Sequence, residues 1–310
     1  MRKTIRNICR IICCLLAVLL CLTCAACFAD IRSGDGQQLE REWPTQAATH
    51  SGKVIDARKF VEQSAFEIGG AGYSLQTGCA PQPGVKALVV PHHTVASKLA
   101  AEMLKGLAAH PPKTVILLGP NHASAGPKIA STYAAFSSYH SMVRPDEELV
   151  QRLERERLAG ISDALFEEEH SIGALIPLIA RYLPEANVVP VIFHRGTPLQ
   201  QTRSVIDAVY SFADPDAVLI ASIDFSHTLP TREEPARREK MLQYIKDYNW
   251  STILTLDETY IDAPVILAAL LQLLEENGGS RMEVAASANA SDMLGFDVPD
   301  ATGYLTLAFY

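Results

Sequence analysis

From residue 85 onward, short apolar runs rich in β-branched residues alternate with longer stretches whose apolar positions recur at helical spacing. The strongest runs are 86–90, 114–118, 188–193 and 217–222, with weaker ones at 129–136, 282–286 and 304–309. Runs that stay apolar at successive positions read as strands covered on both faces. Between them the pattern predicts helices over 95–109, 147–159, 172–182, 199–212, 232–249 and 263–276, preceded by one at 56–68. This alternation is that of βα units. It predicts an α/β fold with a mainly parallel sheet flanked by helices on both faces. No internal repeat or second-domain linker interrupts the pattern, so 54–310 is read as one domain.

The first 53 residues follow other rules. Residues 30–53 are polar and rich in Gly, Gln and Arg, and read as a flexible tether. Residues 1–29 begin with Arg2, Lys3, Arg6 and Arg10 and continue uncharged from Ile11 to Ala29. The strongly apolar part, about 11–22, has the length of a secretory signal rather than of a membrane span. Leu22-Thr23-Cys24-Ala25-Ala26-Cys27 then looks like a lipobox with Cys27 as the lipidated residue, although Cys24 stands where Leu is usual. The expectation is an exported chain, tethered to the cell membrane by lipid or by an uncleaved signal anchor. Ordinary cleavage after Ala29 is the other outcome.

Charge and cysteine content narrow the classes. The formal net charge is −8, and the four basic residues of the leader leave 23 basic against 35 acidic side chains beyond it. Such a surface repels phosphate backbones, so nucleic acid is not an expected partner. Six of the seven cysteines lie in the leader, and the remaining Cys79 sits in a Gly/Pro-rich loop. One thiol makes no internal disulfide, so stability must come from the core.

The chemistry lies where the apolar runs end. The first run leads into Pro91-His92-His93, the second into Gly119-Pro120-Asn121-His122, and the fourth into Ile223-Asp224-Phe225-Ser226-His227. Parallel strands share one carboxyl edge, and ligands bind in the crevice outside it. A single strand-end histidine is often only the partner of a loop carbonyl, and Gly-Pro-Asn is an ordinary turn. Three such clusters on one edge favour a functional pocket.

A further cluster, Glu167-Glu168-Glu169-His170-Ser171, precedes the predicted helix 172–182. Ser171 could cap that helix, and Glu169 or His170 could face the pocket as a proton-transfer or supporting group. Asp262, before the last long helix, reads as another contributor or as an N-cap. Imidazoles with carboxylates suit Fe, Zn, Cu or Mn, and two His with one carboxylate serve non-haem iron oxygenases and metal hydrolases. Dinucleotide, P-loop and nucleophile-elbow motifs are absent, as are His-Glu-x-x-His and CxxC pairs in the body of the chain.

Taken in order and ending at Thr302-Gly303-Tyr304, these motifs resemble the Memo-like family (AmmeMemoRadiSam system protein B) over about 85–310. The resemblance implies the fold of class III extradiol ring-cleaving dioxygenases (LigB-like), whose relatives bind non-haem iron. It makes His92 and His122 the metal-site histidines, with Asp262 as third donor and His227 as the competing one. His93, Asp224 and His227 become acid/base candidates, with Glu169 and His170 beside them. A cysteine that eukaryotic Memo proteins place in the pocket is replaced here by Ala263, which removes a soft ligand. The implied cofactor is a divalent metal, Fe first and Zn or Cu after it. The family name also implies AMMECR1-like and radical-SAM partners. Three activities remain open: a metal-dependent, redox-type enzyme, a non-catalytic binding or accessory protein using the same pocket, or a metal-dependent hydrolase.

Overall fold

The computed structural model describes residues 52–61, 76, 79–278 and 281–310; the leader and nearly all of the tether lie outside them. All described residues belong to one compact unit, Ala48–Tyr310. Twelve strands occur among them: β1 (Val54–Asp56), β2 (Ala87–Val90), β3 (Thr114–Pro120), β4 (Ile129–Ser131), β5 (Ala135–Ser137), β6 (Met142–Val143), β7 (Gly160–Ile161), β8 (Asn187–Phe193), β9 (Val218–Ser222), β10 (Phe225–Pro230), β11 (Met282–Asn289) and β12 (Asp300–Phe309).

The apolar runs form the middle of the large sheet. Strands β2, β9, β3 and β8 lie side by side in that order, all parallel, with Ala221 of β9 paired to Val89 on one side and Leu118 on the other. Every residue of β2, β3 and β9 is buried. Alternating side chains feed two separate cores, as the pleat requires. Val89, Ile116, Leu118, Leu219 and Val191 face one, and Leu88, Val115, Leu117, Ile220 and Ile192 the other. The first core is closed by helices Leu199–Tyr210 and Pro264–Glu276, through Val205, Ile206, Leu267 and Leu270. The second is closed by Ser97–Leu107 and Ile176–Tyr182, through Met103, Leu104, Leu178 and Ile179. The expected α/β class with a parallel centre is therefore present.

The margins are antiparallel. Strand β12 pairs antiparallel with β2, β10 and β11, and β4 runs antiparallel to β8 with β7 beyond it. A small second sheet has the order β1-β5-β6. Several predicted boundaries shift for local reasons. The run at 129–136 divides into β4 and β5, which belong to different sheets. The predicted helix 56–68 begins instead with β1 and a short 3-10 turn, Ala57–Lys59, and its remainder beyond Val61 lies outside the described residues. The predicted helix 172–182 is two pieces, His170–Gly173 and Ile176–Tyr182, the second starting with Pro177 in its first turn. A proline ring fits a first turn but not a helix interior, which accounts for the break. Among the described residues no helix is long and apolar enough to cross a membrane.

Candidate functional site

Because β2, β9 and β3 are adjacent and parallel, His92, Asp224 and His122 leave the sheet at neighbouring points of one edge. His92 and Asp224 are almost fully buried, at 3% and 2% exposure. The Asp224 carboxylate accepts the His92 backbone N–H at 3.3 Å. Asp262 reaches the same place from the segment before helix Pro264–Glu276. Its Oδ2 accepts the Asp224 backbone N–H at 3.2 Å, and its own N–H donates to the Asp224 carbonyl at 3.2 Å. The N-cap of that helix is Ala263, without a side-chain cap bond, so the N-cap alternative for Asp262 does not hold. The Arg195 guanidinium donates to the carbonyls of Leu256, Ile261 and Asp262 at 3.2–3.4 Å and pins this segment.

The imidazole of His92 has one orientation. Its Nδ1 lies 3.1 Å from Ser222 Oγ, and Ser222 donates its only hydroxyl proton to the Ser171 carbonyl at 2.6 Å. Ser222 Oγ therefore accepts from Nδ1–H, and Nε2 carries the lone pair. That Nε2 stands 3.4 Å from Asp224 Oδ2 and 3.3 Å from Asp262 Oδ2, yet has no hydrogen-bond partner. Three acceptors facing one another in a buried space need a cation or a proton between them. Burial outweighs the attraction of Asp262 and pushes the His92 pKa down to about 3, so the ring is neutral. Burial likewise raises the pKa of Asp224, against the pull of His227 and His93.

His122 is held by Glu169. Its Nδ1 and Glu169 Oε1 are 2.8 Å apart, and its backbone N–H donates to Oε2 at 2.8 Å. Burial opposes charge on both partners, but the hydrogen bond and mutual attraction outweigh it, raising His122 and lowering Glu169 to about 2. Glu169, not Ser171, is the N-cap of helix His170–Gly173, accepting from Ser171 N at 2.8 Å. His170 stacks on His122 with ring centroids 4.1 Å apart, and both lie 5.2 Å from the His92 ring. Burial and the neighbouring His122 hold the His170 pKa below its ordinary value.

Among the described residues the potential metal donors form two compact groups that share His92. One is His92, His122 and His170; the other is His92, Asp224 and Asp262, with donor atoms within 4.8 Å of one another in each. The implied trio His92, His122 and Asp262 is thus spread over both groups. His227 stands at the rim, Nε2 3.9 Å from Asp262 Oδ2, too long for a hydrogen bond. Burial works against its charge, but the two aspartates prevail and its pKa is raised. His93 Nδ1 contacts the buried Tyr304 hydroxyl at 2.6 Å. Cys79 lies half-buried beside the second core and is free.

Three contributors were not legible beforehand. Ser222 and Tyr304 sit inside the sequence motifs, but nothing local shows that they hold His92 and His93. Arg195 follows β8 with no signal at all. A polar residue ending an otherwise apolar strand, as Ser222 does, is the one clue available.

Comparison with known proteins gives the family of the chain. A family model described as Memo-like protein matches residues 71–308. A MEMO1 family protein of Methanopyrus kandleri is 28% identical over 270 residues, covering 82% of this chain and 93% of the relative. One of Caldivirga maquilingensis is 24% identical over 236 residues, covering 73% and 83%. A crystal structure of an uncharacterized Escherichia coli K12 protein aligns at TM-score 0.48 and 14% identity, over 72% of this chain and 99% of that one. With the matched region spanning the sheet edge and every histidine of the pocket, the chain belongs to the Memo-like protein family.

Proposed function

We propose that the chain is a metal-dependent enzyme whose divalent ion is held by His92 Nε2 and His122, with Asp262 as the carboxylate donor. The observation that carries this reading is the buried, unpartnered His92 Nε2 facing two carboxylates. A donor set of imidazole and carboxylate without thiolate suits Fe(II), with Zn(II) next, and argues against Cu(I). When bound, such an ion supplies Lewis-acid activation of an oxygen ligand.

The surrounding groups have separable tasks. Asp224, with its pKa raised by burial, holds a proton at its carboxyl to higher pH than an exposed aspartate. His227 at the rim favours its charged form and attracts an anionic group to the mouth of the pocket. His93, braced by Tyr304, is a neutral base, since burial lowers its pKa. These are acid and base functions gathered round Asp224, which support turnover over passive binding.

The test is elemental analysis of protein purified without oxygen. About one ion per chain is expected, and none in the His92→Ala/His122→Ala variant with its circular dichroism unchanged. A metal-free wild type, or a double variant that keeps its ion, refutes the reading. A turnover screen with aromatic diols under oxygen, run beside ester and phosphoester hydrolysis, separates redox from hydrolytic chemistry.

A further inference from the structure

We infer that one turn, Glu169–Ser171, sets the tautomer of both His92 and His122, so that each presents Nε2 to the pocket. The inference rests on the metal reading above and identifies the residues that orient its donors without touching the ion.

The turn acts through two arms. Glu169 takes the His122 Nδ1–H directly. The Ser171 carbonyl takes the Ser222 proton, which leaves Ser222 Oγ to accept the His92 Nδ1–H. A carbonyl oxygen can only accept, so a 2.6 Å contact leaves no other arrangement of the Ser222 proton. Both serines are fully buried, so water cannot replace the arm that runs through Ser222 to His92. Ser222 and Ser171 are therefore positioning residues.

The turn is in turn seated on β3. Ser171 Oγ donates to the Pro120 carbonyl at 2.8 Å, directly over Gly119. A Cβ at Gly119 would stand 2.5 Å from Ser171 Oγ and 2.9 Å from Ser171 Cβ. Only glycine lets the turn approach this closely, which explains the Leu118-Gly119-Pro120 sequence one strand-end before His122.

The substitutions act on different histidines. Ser222→Ala removes the acceptor of His92 alone. Glu169→Gln keeps one acceptor oxygen and turns an amide donor toward one of the His122 N–H groups, and so disturbs His122 first. Gly119→Ala displaces the turn and disturbs both. Ser222→Thr keeps the hydroxyl and restores wild-type behaviour.

The experiment reads imidazole ¹⁵N shifts in the metal-free full chain, together with zinc affinity by chelator competition. At a pH above the raised His122 pKa, where both rings are neutral, wild type is expected to show Nδ1–H tautomers at His92 and His122. Ser222→Ala should lose the single tautomer at His92 only and weaken zinc by about 10–100-fold, the usual cost of losing an outer hydrogen bond to a ligand. Nε2–H at His92 in wild type overturns the inference. So does a Ser222→Ala protein with unchanged shifts and affinity. If the wild type binds no zinc the metal reading fails, and the ¹⁵N shifts still decide the tautomers. Should Gly119→Ala not fold, the Ser222→Ala and Ser222→Thr pair carries the test.

Discussion

Acidifying the metal-free protein from pH 6.5 to 4.5 is expected to cost wild type roughly 2–3 kcal/mol more than a His92→Gln variant. His92 has a folded pKa of about 3 against an ordinary 6.5. Between those values the unfolded chain takes up a proton that the folded chain refuses. Stability is thus complete above 6.5 and is lost as pH falls toward 3, by up to about 1.4 kcal/mol per unit. His93 and His170, also lowered by burial, push the same way. His122 and His227 are raised and oppose: their contribution is present below 6.5 and is lost as pH climbs through their folded values. Glu169, lowered from 4.5 to about 2, stabilises above 4.5 and loses this only in stronger acid. In the window from 6.5 to 4.5 the fully buried His92 therefore dominates. Urea unfolding of both proteins across these pH values checks it, and parallel curves would rule it out.

The second large effect lies beneath β12. Glu234 is completely buried, accepts from Arg238 Nε at 2.8 Å and from Asn289 Nδ2 at 3.0 Å, and Arg238 also donates to Ser287. Removing the carboxylate strands a guanidinium of only 9% exposure. Glu234→Ala is expected to cost about 3–5 kcal/mol, since breaking one side of a buried pair leaves the other charge uncompensated. Replacing both ends, Glu234→Leu with Arg238→Met, should recover most of it. Gly303 packs against the same oxygen: a Cβ there would sit 2.1 Å from Glu234 Oε1. Because both carboxylate oxygens are committed, Gly303→Ala should cost about 1–3 kcal/mol as an overpacked site. Chemical denaturation measures all three, and a Glu234→Ala loss under 1 kcal/mol would show that Arg238 finds water. The effect reaches the pocket wall, because Gly303 immediately precedes the Tyr304 that contacts His93.

Much of the frame could be read in advance. Continuous apolar runs at 86–90, 114–118, 188–193 and 217–222 became the four central parallel strands, because only strands covered on both faces need such composition. Clustering of His92, His122 and Asp224 was legible for the same reason: parallel strands end at a common edge, whatever their separation in the chain. Strand β10 was not, because Phe225-Ser226-His227 is too polar to resemble a core strand and gains its partners from β12 and the 258–261 segment, both remote in the chain.

Local chemistry along the chain determined the central strands and most of the helices, that the centre of the sheet is parallel, and that His92, His122 and Asp224 end on one edge. Tertiary structure alone decided what each of them does. His92 and Ser222 are 130 residues apart, Ser222 and Ser171 are 51 apart, and His122 and Glu169 are 47 apart. Strand pairing sets such contacts to within tenths of an ångström, and a hydrogen bond or donor group exists or fails over that same range. That is why Asp262 could be read as a cap or a ligand from its position, and why only the folded chain shows it facing His92.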